Sequence, residues 1–449
     1  IAKLQQIFSI DELRGRILLT IGLIAIYRLG RYITLPGIDG AALEAQLQQG
    51  NNSLLGLVNM FSGGSFNYAA VFALGIMPYI SASIVVQLLG FALPSFARLQ
   101  KEGQSGQQRL NQITRVLTIF ITIIQSGAYL TYLKGAHASV IAAEIPYAIF
   151  WISNIVLLTA GTMFCMWLGE RITEKGIGNG VSLLISAGIV NSLPTALWSE
   201  FTTTVFGGKG GPILFIVEML ALFVVVAAAI AIVQAVRRIP IQFVKHMIGR
   251  DNLEAQPAGA DRNYLPIKLN ASGVMPIIFA QALMFIPAAI NSAVSGEEQS
   301  FLASFSNPAT WTYNITFFLL IVVFTYVYTA LTVNPQQYAE HLKRQNAHIP
   351  GKLQGDDTEK YIDKITSLIT LPGALSLGII AILPGVVMAT DFTKDQNFAM
   401  FFGGTSLLIL VSVVLDTLQQ IESHLVMRQY DGLLEGTRIK GRNAEKMPV

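Results

Sequence analysis

The sequence predicts an all-α polytopic membrane protein with ten transmembrane helices, divided five and five into two pseudosymmetric halves. Three observations predict it. Of 449 residues, 52% are hydrophobic and only 13% are charged, about half the charged share of a soluble domain. Ten apolar stretches, 17–35, 68–91, 113–134, 147–168, 180–198, 212–236, 272–291, 314–333, 367–389 and 398–421, each approach the ~20 residues a helix needs to cross a bilayer. Lys and Arg are also one-sided. With the N-terminus inside, twenty-four lie in inward segments, and three, Lys134, Lys209 and Lys394, in outward loops. That asymmetry puts both termini in the cytoplasm.

Residues 1–16 are polar, so the first apolar stretch reads as a mature span rather than a cleavable leader. Arg28 and Arg31 lie toward its outer end, where long side chains can snorkel to the headgroups. The outward segment 36–67 holds no Lys or Arg. Its Leu54-Leu55-Gly56-Leu57-Val58-Asn59-Met60-Phe61 is too short to span and precedes Ser62-Gly63-Gly64-Ser65. A re-entrant piece and an interfacial helix fit that pattern equally. Helix breakers fall inside several spans: Gly75 and Pro78, Gly273 and Pro276, Pro372 and Gly378. Such residues pack membrane helices closely or line cavities where helices break. Two inward loops, 237–270 and 334–366, are long, basic and broken by Pro and Gly. They read as a docking surface or as solvated connectors. The tail 422–449 is polar and inward. The five-and-five division suits an inverted repeat, and Phe61-Ser-Gly-Gly-Ser65 is like Phe402-Gly-Gly-Thr-Ser406.

The spans are nearly free of ionisable groups. Glu218 lies near the outer end of the sixth and Asp416 near the inner end of the tenth. Coupling transport to an ion needs a charge near the midplane that binds and releases it. What the interior offers instead is aliphatic side chains and scattered amides, Gln87, Gln125, Asn179 and Gln281. Cys165 is the only cysteine, so neither an internal disulfide nor a cysteine-based metal site is possible. No His-Glu-x-x-His occurs. Gly103-Gln-Ser-Gly106 has no histidine placed to activate its serine, and Gly176-Ile-Gly-Asn-Gly180 lacks phosphate-loop spacing. The sequence therefore predicts no enzyme, no cofactor and no metal site.

Several strings, in order, resemble the SecY family, the central subunit of the bacterial protein-translocation channel. Tyr27-Arg-Leu-Gly30 with Pro36-Gly-Ile-Asp39 resembles its first span, and Phe72-Ala-Leu-Gly-Ile-Met-Pro-Tyr-Ile-Ser-Ala-Ser83 its second. Asn59-Met-Phe-Ser-Gly-Gly64 resembles its plug. Gly176-Ile-Gly-Asn-Gly180 with Val181-Ser182 resembles the entry to its fifth span, and Phe402-Gly-Gly-Thr-Ser-Leu-Leu-Ile409 its tenth. The resemblance implies a plugged channel between two halves, 1–198 and 199–449, that conducts unfolded preproteins and releases signal or transmembrane helices sideways into the cytoplasmic membrane.

Carried over residue by residue, the pore ring is Ile76, Ile80, Val181, Ile185, Ile278 and Ile409. The plug, about 54–65, includes Leu54, Leu55, Leu57, Val58, Met60 and Phe61, with Gly63 and Gly64 as its hinge. The lateral gate carries Ser81, Gln87, Gln125 and Asn270, and Asn179 heads span five. The resemblance implies partners as well: the small membrane subunits SecE and SecG, the SecA ATPase, the ribosome, signal sequences and preproteins, and the lipid bilayer. It implies no nucleic-acid recognition apart from the ribosome. The docking residues are Arg237, Arg238, Lys245, Arg250 and Lys352. The second loop departs from the family pattern Pro-Gly-Ile-Arg-Pro-Gly. It reads Pro350-Gly-Lys352-Leu353-Gln354-Gly355, so Lys352 stands one place before the family's arginine. The alternative function is a secondary transporter for an uncharged solute, favoured by ten spans, broken helices and the pseudosymmetric division and opposed by the missing midplane charges and the basic cytoplasmic loops.

Overall fold

The computed structural model describes residues 10–40, 42–43, 59–136, 146–206, 211–243, 263–294, 304, 307–390, 392–393 and 395–436. All ten predicted spans coincide with helices. In chain order these are α1 (Asp11–Leu29), α2 (Met77–Ala92), α4 (Gln104–Ala136), α5 (Tyr147–Lys175), α6 (Gly180–Phe201), α7 (Gly211–Gln234), α8 (Met275–Val294), α9 (Trp311–Thr332), α11 (Asp356–Ala389) and α13 (Gly404–Gly436). Shorter helices are α3 (Pro94–Lys101), α10 (Pro335–Arg344) and α12 (Gln396–Ala399). Helices are the expected answer to these sequences, because a backbone in hydrocarbon must satisfy its own polar groups. Seven of the described helices are by themselves long and apolar enough to cross a membrane. Of the other three, α1 shares its 19 residues with Asp11, Glu12, Arg14, Arg16 and Arg28, while α2 and α8 are entered through non-helical backbone.

Two boundaries differ from the sequence expectation for a physical reason. The predicted second span begins at 68, yet helix starts only at Met77, because Ala69 and Gly75 take left-handed backbone (φ 46° and 53°) and Pro78 sets a helix start. The preceding stretch stays buried, and its backbone is satisfied by strand-like bonds, Leu35 N–H to the Ala69 carbonyl and Val71 N–H to the Ile33 carbonyl, both 2.9 Å. The tenth span likewise becomes helical only at Gly404, after Gly403 and Gly404 (φ 139° and 61°). Other helices run beyond lipid. At ~1.5 Å per residue, the 33 residues of α4 reach about 50 Å, against a hydrocarbon core of ~30 Å.

The chain forms two compact units. The first comprises 1–49, 61–188 and 413–449, and the second 50–60 and 189–412. In the first, α1 packs on α5, α2 on α4, and α4 on α5. The inner face of α4 carries buried hydroxyls at every fourth residue, Thr114, Thr118 and Thr122, each donating to the carbonyl one turn back. In the second, α8 packs on α9, and α9, α7 and α10 on α11. There the buried faces again include threonines, Thr325 and Thr329 on α9 and Thr366 and Thr370 on α11. Small polar residues at such seams let helices approach closely.

The second unit also carries a small three-stranded platform. Strands β1 (Val236–Phe243), β2 (Asn263–Lys268) and β3 (Ala347–His348) form an antiparallel sheet in the order β2-β1-β3. Val236 pairs with Lys268, Ile241 with Asn263, and Gln242 with His348. Side chains alternate along a strand. Ile239 and Ile241 therefore point into a core with Ile267, Leu342, Ala347, Ile349 and Ile362, while Arg238 on the opposite face is exposed, as is Arg237 at the start of the strand. Asn334 caps α10 by accepting from Gln337 N–H, and Pro335 occupies its first turn. The two long basic loops thus share one sheet and one core.

Candidate channel and docking sites

Two helix starts in the first unit have counterparts in the second. Helix α2 follows Gly75-Ile-Met-Pro78 and helix α8 follows Gly273-Val-Met-Pro276. In both, the glycine is left-handed, with φ 53° and 63°, methionine opens the helix and proline follows. Ile80 and Ile278 are the fourth residues of these helices. Helices α6 and α13 both open on a glycine, Gly180 and Gly404, after a left-handed Gly178 and Gly403, and Ile185 and Ile409 are the sixth residues of each. Four of the six predicted ring residues thus occupy matched positions in two repeated pairs of helices. The short likeness of Phe61–Ser65 to Phe402–Ser406 is not part of this repeat. The signal lay instead in Gly-x-Met-Pro, which sequence reading passed over.

Within the first unit, Ile76, Ile80 and Ile185 are buried and Val181 is half-buried. Ile76 and Val181 converge over Gly169 of α5, where a Cβ would lie 3.4 Å from each side chain. The turn that aims α6 is pinned from three sides. Thr20 Oγ1 of α1 accepts from Ile177 N–H at 3.1 Å, Gln420 Oε1 of α13 from Gly178 N–H at 2.8 Å, and Thr173 Oγ1 of α5 from Gly180 N–H at 2.9 Å. In the second unit Ile409 is buried and Ile278 half-buried.

Of the plug residues, Leu54, Leu55, Leu57 and Val58 lie outside the described residues. Met60 and Phe61 are buried, and the Met60 sulfur accepts from Ser406 Oγ at 3.2 Å. Ser406 precedes Ile409 by one helical turn on α13. Gly63 and Gly64 are left-handed, with φ 65° and 89°, as a glycine hinge requires. The expectation that Arg28 snorkels outward is corrected. Its guanidinium turns inward and donates to the Gly63 and Ala187 carbonyls. Buried backbone carbonyls of an irregular turn offer a cation better partners than distant headgroups, a tertiary fact that residue spacing does not carry.

The predicted gate amides differ among themselves. Ser81 Oγ donates to the Met77 carbonyl at 3.1 Å, and Gln87 Nε2 to Ser83 Oγ at 3.2 Å, both along α2. Asn179 Oδ1 accepts from Val181 and Ser182 N–H, capping α6. Gln125 is half-buried on α4. Asn270 is buried. Its Oδ1 accepts from Ser272 Oγ at 3.2 Å, and its Nδ2 finds no hydrogen-bond partner among the described residues. Sequence reading missed Glu200, a fully buried carboxylate that accepts from Thr204 Oγ1 at 2.8 Å and from Asp395 N–H at 2.7 Å.

On the platform, Arg237, Arg238 and Lys352 are exposed, while Lys245 and Arg250 lie outside the described residues. Lys352 Nζ sits 5.4 Å from the Tyr361 ring centre, a cation–π contact. Leu353 beside it is 74% exposed. Gln354 Nε2 donates to the Ala347 carbonyl of β3 at 3.2 Å, and Thr358 Oγ1 to the Leu353 carbonyl at 2.7 Å. The departure from the family pattern therefore leaves a tip that is held to the sheet, with a lysine and a leucine outward.

The SecY family model matches residues 70–418. A protein translocase subunit SecY of Chlamydia muridarum is 38% identical over 461 residues, covering 98% of this chain and all of that protein. A solved translocation channel, in which the plug domain of the SecY protein stabilises the closed state and maintains a membrane seal, is 16% identical with a TM-score of 0.65 and 95% of each chain covered. Sec61 in the canine ribosome-channel complex from the endoplasmic reticulum is 15% identical with a TM-score of 0.60, again over 95% of each chain.

Proposed function

The chain belongs to the SecY family, and on that premise we propose how its own residues serve a protein-conducting channel. It is a multi-pass membrane protein that conducts polypeptides and is not an enzyme. The observation that carries the residue-level reading is the matched register of Ile80 with Ile278 and of Ile185 with Ile409. Two halves, 1–198 and 199–449, each offer the same two aliphatic positions, and Ile76 and Val181 complete the ring. Such a constriction repels water and ions when empty, yet yields around a peptide, because no charge pair must break. None of the residues assigned to the ring or the gate is ionisable, which argues against a solute transporter working by ion exchange.

In this reading, residues 54–65 seal the outer side of the ring. The seam bearing Ser81, Gln87, Gln125 and Asn270 opens sideways for signal or transmembrane helices. An apolar helix leaving water for that seam gains contact worth ~25 cal/mol per Å². The platform faces the cytoplasm, as the basic loops require, and the membrane is the bacterial cytoplasmic one. Arg237, Arg238, Lys245, Arg250 and Lys352 make it a docking surface for the ribosome, by analogy with the canine complex, and for the SecA ATPase. SecE and SecG are its small membrane partners.

The test is import. Vesicles holding the chain with its small subunits and the matched ATPase should accumulate protease-protected precursor only with ATP. Uptake of an uncharged solute without precursor import would instead favour a transporter.

A further inference from the structure

The end of α1 grips the turn that follows Phe61. Tyr27 Oη donates to the Ser62 carbonyl at 3.5 Å, and Arg28 Nη1 to the Gly63 carbonyl at 3.1 Å. The second Arg28 nitrogen, Nη2, donates to the Ala187 carbonyl of α6. Arg31 lies over the Tyr68 ring, 5.9 Å from its centre. From the far side, Tyr129 Oη of α4 donates to the Phe66 carbonyl at 2.7 Å, and Ser62 Oγ closes the turn by accepting from Phe66 N–H at 3.1 Å. The glycines are required twice over. Their backbone is left-handed, and an added Cβ would fall on Arg28 at position 63 and within 2.7 Å of the Arg31 guanidinium carbon at position 64.

One guanidinium therefore joins three elements of the same unit: α1, the Ser62–Gly64 turn, and α6. Ala187 lies two residues beyond Ile185. The planar fork suits two carbonyls at once, and a cation leaving both without compensation carries a desolvation cost. The grip then depends on α6 as well as on the turn. Displacing Ala187 from α1 removes one of its two anchors.

We propose that Arg28 is the latch of the plug, a positioning residue that holds the Ser62–Gly64 turn closed and couples its release to movement of the ring-bearing helix α6. The proposal rests on the reading of residues 54–65 as a plug. It assigns the inward arginine a role distinct from lipid anchoring.

The test compares Arg28→Gln, Arg28→Lys and Gly63→Ala in vesicles holding the complete complex. The readouts are resting ion leak, import of a precursor with a defective signal, and import of a normal precursor. Arg28→Gln should raise the leak about tenfold, the effect of losing roughly one charge-assisted hydrogen bond. It should also admit the defective precursor while normal import persists. Lysine, a point charge without the fork, should restore part of the closure. Gly63→Ala, which displaces the guanidinium without changing it, should reproduce the phenotype, and the double variant should leak no more than the stronger single one. If Arg28→Gln accumulates poorly, Gly63→Ala and Arg28→Lys carry the same comparison. A parallel Met60→Cys/Ser406→Cys pair, built with Cys165→Ser, tests the plug by itself. If the oxidised pair blocks import while the Arg28 and Gly63 variants seal like the parent, the latch is refuted and the plug stands. If oxidation leaves import unchanged, the plug reading fails and the latch falls with it. Lower import and abundance without extra leak would show a merely structural arginine.

Discussion

Truncating Ile362 should melt the three-stranded platform while leaving the membrane helices in place. Ile362 is fully buried on the second turn of α11, packed with Ile239 and Ile241 of β1, Ile267 of β2, Leu342 of α10, and Ala347 and Ile349 around β3. It is where the helix that continues into the membrane meets the sheet. Ile→Ala at such a site costs about 2–5 kcal/mol, the lost transfer energy plus the cavity left behind, whereas Ile→Val costs about 0.5–1.5. At a factor of ten per ~1.4 kcal/mol, local opening should rise about 30-fold to several thousand-fold for Ile362→Ala, and about two- to tenfold for Ile362→Val. Hydrogen exchange of the paired amides in β1 and β2 reads this opening directly. Exchange in α7, the membrane helix that ends at Gln234 just before β1, should not change. ATP-driven import should fall in the same order, alanine well below valine. Protection of β1 and β2 that is unchanged in the alanine variant would refute the shared core. So would an equal rise in α7.

Three further outcomes follow from the same geometry. Ile409→Asn places an amide where the side chain is 1% exposed; an unmet amide costs about 1–3 kcal/mol, water relieves it, and the resting conductance of reconstituted vesicles should rise, as it should less steeply for the half-buried Ile278→Asn. Asn270→Leu removes a buried amide whose Nδ2 is unmatched among the described residues; the closed state should gain stability, and crosslinking of a signal sequence to the gate should weaken, whereas stronger crosslinking would mean that the amide holds the seam shut. On the platform, Lys352→Glu breaks the contact with Tyr361 and reverses a charge at the tip; ATP-driven import should fall, Arg250→Glu should lower it more, Leu353→Arg should be tolerated, and parental rates for both Glu variants would remove the tip from the coupling contact.

The spans were legible because lipid imposes one local rule, a long apolar run, and that rule needs no partner. Helix ends were less so. Hydropathy marks the part of α4 or α11 that suits lipid, but not the turns that continue into water, nor the buried irregular backbone before Met77 that Gly75 and Pro78 impose. In the platform, Ile239 and Ile241 were readable as apolar positions within a basic loop. The two residues of β3 were not, since a strand that short exists only because β1 is beside it. The ring candidates came from family strings, and the matched Gly-x-Met-Pro starts of α2 and α8 are the local trace that was available and unread. The turn of Arg28 toward Gly63 and Ala187 left no local trace, because its partners are carbonyls that any residue would supply.

The central claim is that a polypeptide passes the four matched isoleucines. A photoreactive side chain placed in turn at Ile80, Ile185, Ile278 and Ile409, with a precursor stalled by a folded C-terminal domain, tests this directly. Phe223 of α7, 73% exposed on an apolar helix, serves as the lipid-facing control. The account predicts crosslinks to the stalled precursor from all four positions and none from Phe223. Crosslinks from neither pair, or as many from Phe223 as from the four, would contradict it.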